Sequence, residues 1–380
     1  MITNTCHLLR KDSKEGKQIE MVTISLCMIV RDEEATIERC LKSVVGIVDE
    51  INIIDTGSVD RTKEIVGKYT DRIFDYEWID NFGDARNYSF SKATKDFVLW
   101  LDADDVIEEA DRKRFSKLKQ KLTNQYDRVT MPYLLSFDTN GKPSSSLRRN
   151  RLVRRACGFQ WIGPVHEYLS VFGPSLDSDV CITHRKEKTY TDRNLQIYQQ
   201  RLDVGEEFST RDLYYYANEL KDHQMYDKAV IFYDKMLRTK EGWIEDNIQA
   251  CLKMANCYSM LGNKDEQFIS LARVLCYEKP RAEVSCEFGN YFFAEKQYDT
   301  AIYWYVQATQ IENVARLGIT NSSSSTWYPH LQLCLCYDRL KQYDKAYEHN
   351  EKAAAFHPTH PSMIYNRKYF RDTHKIGDPS

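Results

Sequence analysis

Asp102 and Asp104, which close the apolar run Phe97-Val98-Leu99-Trp100-Leu101, are the residues of this chain whose types and spacing most suggest chemistry. Carboxylates at the end of a buried strand face a cleft. Hard oxygen donors there suit magnesium or manganese, which keep coordination sites open for the oxygens of a diphosphate. An Asp-Ala-Asp tripeptide alone also fits a solvated turn or a helix N-terminus, so its neighbours must decide. His166 and Glu167 sit in the Gly-, Pro- and aromatic-rich segment from Gly158 to Leu169. They read as a proton-accepting pair or as a hydrogen-bonded loop. His184 ends the strand-like run from Val180 and is either structural or a ligand. Arg148, Arg149, Arg151, Arg154 and Arg155 form a basic run, either a solvated, salt-bridged edge or a diphosphate clamp.

These side chains need a frame. Ile24 to Val30 is a strand-like run that breaks at Arg31-Asp32-Glu33-Glu34 and passes into a helical pattern, with Ala35, Ile37, Cys40, Leu41 and Val44 on one side. Glu50 to Asp55 repeats the arrangement, leading through Thr56-Gly57-Ser58-Val59-Asp60-Arg61-Thr62 into a helix containing Ile65 and Val66. Strands alternating with helices predict an α/β fold with a mostly parallel sheet, whose ligands collect at the carboxyl ends of the strands.

The order Met28-Ile29-Val30-Arg31-Asp32-Glu33-Glu34, Ile54-Asp55-Thr56-Gly57-Ser58, Phe82-Gly83-Asp84-Ala85-Arg86-Asn87 and Leu101-Asp102-Ala103-Asp104 resembles the family 2 glycosyltransferases of GT-A fold. The resemblance covers residues 21–190 and implies a Rossmann-like catalytic domain, a nucleotide-sugar donor, a divalent cation (Mg2+ or Mn2+) and inversion at the anomeric carbon. Carried over residue by residue, it places Val30, Arg31 and Glu33 at the nucleotide-sugar site and has Asp55 accept the uracil imide hydrogen. Asp84 and Arg86 would face the nucleotide or the diphosphate, and Asp102 the ribose and metal waters. Asp104 would ligate the metal, with His184 as the C-terminal ligand. The match of W-x-G-x-V-H-E to Trp161 through Glu167 makes Glu167 the base, with His166 as its rival or its orienting group.

Composition agrees with two domains. At 380 residues the chain exceeds what one core usually serves, and 42% hydrophobic residues are ample for burial. A net charge of -3 offers no whole-domain positive field for nucleic acid. The segment 1–20 reads as a polar tail without the hydrophobic centre of a signal peptide, and no apolar stretch is long enough to span a membrane, so a cytoplasmic protein is expected. The 11 cysteines are scattered without a C-x-x-C pair, which fits buried thiols rather than disulfides or a zinc site.

The segment 191–375 carries a repeat. Tyr226-Asp227-Lys228-Ala229, Tyr298-Asp299-Thr300-Ala301 and Tyr343-Asp344-Lys345-Ala346 are copies of one pattern, and the wide gap between the first two leaves room for a degenerate unit around Ala255 and Gly262. This looks like an all-α tetratricopeptide superhelix, with Ala217, Ala255 and Gly289 at the close-packed points. The stretch Val314 to Thr326 would be a surface loop. A GT-A domain followed by such repeats resembles the bacteriocin peptide S-glycosyltransferases of the sublancin and thurandacin type. That resemblance implies transfer of a hexose, glucose from UDP-glucose first, to a cysteine thiol of a precursor peptide. It also leaves room for a homodimer through the repeats. Transfer to Ser or Thr, to a surface saccharide or lipid-linked acceptor, and a non-catalytic scaffold are the alternatives.

Overall fold

The computed structural model describes residues 21–137, 141, 143–185, 191–311 and 320–377, so the expected polar tail 1–20 lies outside them. The chain divides into two compact units, residues 1–191 and 192–380.

The front unit is built on a mixed, mostly parallel sheet. Its elements run β1 (Ile24–Val30), α1 (Ile37–Val44), β2 (Glu50–Asp55), α2 (Thr62–Val66), β3 (Ile73–Asp75), α3 (Phe82–Ser91), β4 (Phe97–Trp100), β5 (Asp105–Val106) and α4 (Glu109–Lys121). They continue with β6 (Arg128–Phe137), β7 (Pro143–Arg154), β8 (Gln160–Ile162), β9 (Tyr168–Ser170), β10 (Ser175–Asp177) and β11 (Ile182–His184). The strand order is β3-β2-β1-β4-β7-β6-β11-β5. β3, β2, β1 and β4 are mutually parallel, while β7 is antiparallel to both its neighbours and β5 is antiparallel to β11. β8 and β9 form a separate hairpin.

The buried side chains of β1 and α1 explain this layering. Leu26, Met28 and Val30 pack with Ile37, Cys40, Leu41 and Val44 in one cluster that also takes in Phe97, Leu99 and Leu101. Such burial, at about 25 cal/mol per Å² of apolar surface, is what holds the sheet to its helices. The helix starts at Ile37, not before it. Ala35, expected on the apolar side, is an exposed turn residue.

Register sets the floor of the cleft. Val30 lies opposite Asp55, so β1 and β2 end level. The turns that follow are laced together. The Asp32 backbone N–H donates to Ser58 Oγ at 3.0 Å, Val59 N–H to Asp32 Oδ1 at 2.8 Å, and Glu33 N–H to Thr62 Oγ1 at 2.7 Å. Asp32 takes φ 51°, the left-handed region that Asp tolerates better than most residues.

Glu50 anchors the opposite end of β2. Burial raises its pKa, but hydrogen bonds from Asn52, Thr94 and Ser25 outweigh that and hold the carboxyl down at about 2. A depressed folded-state pKa gives stability that is present above the unfolded value and lost as pH falls through the folded one. Acid unfolding should therefore show a contribution of about 2 kcal/mol that disappears between about pH 4.5 and 2. Chemical denaturation across that range checks it. Glu50→Gln should lose less stability with acid than the parent, and an identical acid dependence would contradict the assignment.

The second unit contains α5 (Arg193–Asp203), α6 (Thr210–Asp222), α7 (Tyr226–Thr239), α8 (Ile244–Met260), α9 (Lys264–Arg273), α10 (Ala282–Ala294), α11 (Tyr298–Gln310), α12 (Trp327–Arg339), α13 (Tyr343–Phe356) and α14 (Pro361–His374). They pack as successive pairs, α6 with α7, α8 with α9, α10 with α11 and α12 with α13, followed by α14 against α13. The turn inside each pair holds one left-handed residue two positions before the second helix: Gln224, Gly262, Lys296 and Lys341. Gly262 thus marks α8–α9 as the degenerate unit. Ala229, Ala301 and Ala346 are fully buried, as are Ala217 and Ala255. A Cβ on Gly289 would sit 2.5 Å from the Tyr305 ring, which explains the missing side chain there. Tyr233 donates to Asn218 and Tyr305 to Asn290, each at 2.7 Å, so the pattern carries a shared, partly buried hydrogen bond. Of the expected loop 314–326, residues 314–319 lie outside those described, while Ser322–Ser325 form a short 3-10 helix. All ten cysteines among the described residues are free thiols.

Candidate functional site

Two linked clusters stand beyond the ends of β4 and β11. The first follows from register: β5 runs antiparallel to β11 with His184 opposite Asp105, which brings the imidazole to the acidic turn. His184 Nδ1 lies 3.5 Å from Asp104 Oδ1 and 3.7 Å from Asp105 Oδ1, and the Tyr133 hydroxyl is 2.8 Å away. The adjacent carboxylates, Asp104 first and then Asp105, favour the protonated ring over the opposing effect of burial, and the pKa is pushed up to about 9. The ligand atoms of Asp104, Asp105 and His184 all fall within 4.8 Å of one another. Asp105 Oδ1 is buried with no hydrogen-bond partner. Two carboxylates with an unused lone pair and one imidazole form an oxygen-rich donor set that fits magnesium or manganese, and a cation there would replace the imidazole proton.

The second cluster centres on Arg86 of α3. Its Nη2 donates to Asp102 Oδ1 at 2.7 Å and its Nε to Glu167 Oε1 at 2.6 Å, and its guanidinium lies over Trp161 and Trp100 at 4.8 and 5.2 Å from the ring centroids. Burial raises the Asp102 pKa, yet Arg86, Arg151 and Arg149 outweigh it and hold the carboxyl well below the usual range. Arg86 therefore turns inward, between two carboxylates.

Local backbone explains how Glu167 reaches α3. Phe82 N–H donates to Pro164 O at 2.8 Å, and a Cβ on Gly83 would come within 2.5 Å of Gly163 O, so only glycine admits this approach. The Asn87 side chain then brackets Trp161, donating to its carbonyl at 3.0 Å and accepting its N–H at 2.8 Å. His166 adopts φ 49° and is half-buried beside Glu167 in the chain.

The other expected residues lie as follows. Asp55 is buried at the end of β2. Its Oδ1 accepts the N–H groups of Gly57 and Ser58 at 3.0 and 2.9 Å, and its Oδ2 is buried without a hydrogen-bond partner. The Val30 carbonyl accepts from the Thr56 N–H and hydroxyl at 3.0 and 3.1 Å, and Glu33 accepts from the Thr36 hydroxyl at 2.7 Å. Val30 thus ties the end of β1 to the turn after β2, and Glu33 is engaged in the turn between β1 and α1. Arg31 is exposed and 4.0 Å from Asp32. Asp84 is exposed, near the start of α3, and accepts from the Tyr76 hydroxyl, apart from the Arg86 cluster.

The basic run is not one edge. Arg151 is fully buried, donates to Asp105 Oδ2 at 2.9 Å, and lies over the Trp100 and Tyr133 rings at 3.9 and 4.3 Å from their centroids. Arg148 donates to Thr130 and to Ser178 O, Arg154 to Asp127, and Arg155 to Lys95 O. Asp105 and Tyr133 were not singled out from sequence, and Arg151 only as a member of the basic run. Adjacency to Asp104 could have flagged Asp105, but Tyr133 reaches the site only through the pairing of β6 with β11, which places it opposite Ile182.

An orphaned carboxylate oxygen at Asp55 calls for a donor. Asp55→Asn keeps the acceptor for the turn but offers an amide where the uracil N–H would bind. Affinity for UDP should fall about 10- to 100-fold while turnover at saturating donor changes little, since a hydrogen bond to a charged group contributes about 1.5–3 kcal/mol. Titration calorimetry measures this, and parent-like UDP affinity would remove Asp55 from that role.

Residues 25–171 match the family described as glycosyl transferase family 2. The chain is 37% identical over 147 residues to a TPR repeat-containing protein of Synechococcus elongatus, covering 39% of this chain and 35% of that one. It is 26% identical over 223 residues to the SPbeta prophage-derived glycosyltransferase SunS of Bacillus subtilis, covering 54% and 52% respectively. The chain thus spans about half or less of the length of these curated relatives. Among solved structures, YrrB, a TPR protein with an unusual peptide-binding site, superimposes with a TM-score of 0.37 at 18% identity, covering 47% of this chain and 83% of that one. The front unit of this chain carries a glycosyl transferase family 2 domain.

Proposed function

We propose that the chain is an inverting, divalent-metal-dependent hexosyltransferase that moves a sugar from a UDP-hexose, glucose first, onto a peptide side chain, with a cysteine thiol as the leading acceptor. The observation that carries this reading is Arg86, which holds Glu167 and Asp102 on one guanidinium beside the Asp104–Asp105–His184 cluster. A proton-accepting carboxylate is thereby fixed one residue away from carboxylates suited to the donor. Glu167 takes the acceptor proton as sulfur or oxygen attacks the anomeric carbon. The bond from that carbon to the diphosphate oxygen breaks on the opposite face, with the electron pair passing to the diphosphate. Arg86 and the Asn87–Trp161 bracket fix the loop that carries Glu167, so less rearrangement precedes attack. A divalent ion held by Asp104, Asp105 and His184 would supply neutralising charge to the departing diphosphate. Asp55 selects the base through its free oxygen.

The stacked helix pairs support a peptide acceptor, because repeat arrays present extended surfaces suited to extended chains. Among the described residues no helix is long and apolar enough to cross a membrane. Incubating the purified protein with UDP-glucose, magnesium or manganese, and matched peptides bearing Cys or Ser at one position tests the acceptor. A hexose mass increment on the Cys peptide is expected. Labelling of the Ser peptide alone would move the acceptor to a hydroxyl, and labelling of neither, with UDP still released, would point to a non-peptide acceptor.

A further inference from the structure

Arg149 and Arg151 are two residues apart on β7, on either side of a register shift in its pairing with β6. Both guanidinium groups lie over the same two rings. Arg151 is 3.9 Å from the Trp100 centroid and 4.3 Å from that of Tyr133, and Arg149 is 5.9 and 5.0 Å from them. Their circumstances differ. Arg151 is fully buried with Asp105 as its counter-charge. Arg149 is exposed, and among the described residues its side chain has no hydrogen-bond or ion-pair partner.

That absence stands out against its neighbours. Arg86 holds Asp102 and Glu167, Arg154 holds Asp127, and Arg148 and Arg155 donate to backbone carbonyls. The carboxylates nearest Arg149 are already committed, Asp102 to Arg86 and Asp105 to Arg151. Tyr133, the ring beneath Arg149, places its hydroxyl 2.8 Å from His184. An open, ring-stacked cation therefore sits one side chain from the candidate metal ligands. A guanidinium whose plane is held by aromatic rings keeps its fork of donors free, a geometry that suits two phosphate oxygens.

We propose that Arg149 binds the diphosphate of the nucleotide-sugar donor and stabilises it as the leaving group; this rests on the nucleotide-sugar reading above. As the anomeric carbon–oxygen bond breaks, the electron pair adds one negative charge to the diphosphate. An unpaired cation already in place stabilises that charge without first giving up a protein partner. Lysine at this position would keep the charge but lose the fork.

The test uses the full chain and three variants, Arg149→Gln, Arg149→Lys and Arg155→Gln, with UDP and uridine as probes in the presence of magnesium. Arg149→Gln should weaken UDP binding about 10- to 100-fold and leave uridine binding unchanged, since uridine carries no phosphate. Arg149→Lys should recover part of the loss, and Arg155→Gln should behave as the parent. kcat should fall with Arg149→Gln as well as UDP affinity, because the charge to be stabilised grows in the transition state. Parent-like UDP affinity in Arg149→Gln overturns the proposal, and if transfer is nevertheless lost, the cation serves the acceptor instead. A parent protein that binds neither UDP nor uridine overturns the nucleotide-sugar reading itself and this proposal with it.

Discussion

Asp104→Ala should reduce transfer by about 10³-fold or more while the protein stays folded. The size follows from the chemistry: polarising and neutralising a departing diphosphate contributes several kcal/mol, and each 1.36 kcal/mol is a factor of ten in rate. The tolerance follows from the contacts. Asp104 is partly exposed, faces His184, and gives its backbone carbonyl, not its carboxylate, to the Arg185 N–H at 2.9 Å. Asp105→Ala makes the contrast. It strips a fully buried Arg151 of its counter-charge and should cost about 3–5 kcal/mol of stability. Transfer rates and thermal unfolding measured on both variants separate the roles. A folded Asp104→Ala protein that turns over at the parent rate would remove the metal assignment.

Glu167→Gln keeps side-chain volume and the acceptor oxygen for Arg86 but cannot accept a proton. Transfer should fall by about 10²-fold or more with UDP-sugar affinity near the parent value, since the residue acts on the acceptor rather than the donor. Arg86 complicates the reading in a useful way. Its Nε holds Glu167 and its Nη2 holds Asp102, so a change at Arg86 should disturb both donor binding and turnover, whereas Glu167→Gln should disturb turnover alone. With a thiol acceptor of ordinary pKa ~8.5, the loss should shrink at high pH, where the thiolate forms without a base. Near-parent turnover at neutral pH would transfer the role to His166.

The sequence was most legible where side-chain chemistry follows from local runs. The strands ending at Val30, Asp55 and Trp100 stand out as apolar runs broken by acidic turns, and the helix pairs show in the Tyr-Asp-x-Ala copies. It was least legible where partners come from distant elements. The five arginines read as one basic run, yet Arg149 and Arg151 lie over the Trp100 and Tyr133 rings while Arg148 bonds to Thr130 and Ser178. No local pattern announces that Asp105 is Arg151's counter-charge, because that pairing needs the register of β7 beside β4 and of β5 beside β11. Arg86 likewise reads as a residue facing the donor, and only the close approach of Gly83 to Gly163 brings Glu167 to it.

The central claim is that the cleft at the strand ends transfers a hexose with inversion, using Glu167 on the acceptor side and the Asp104 cluster on the donor side. The most direct measurement is nuclear magnetic resonance of UDP-α-glucose incubated with the full protein, divalent metal and an acceptor peptide, with a parallel sample in excess chelator. We expect UDP to appear together with a β-linked glucosyl peptide, and neither to form with chelator present. An α-linked product, or the same product at the same rate in chelator, would contradict the account.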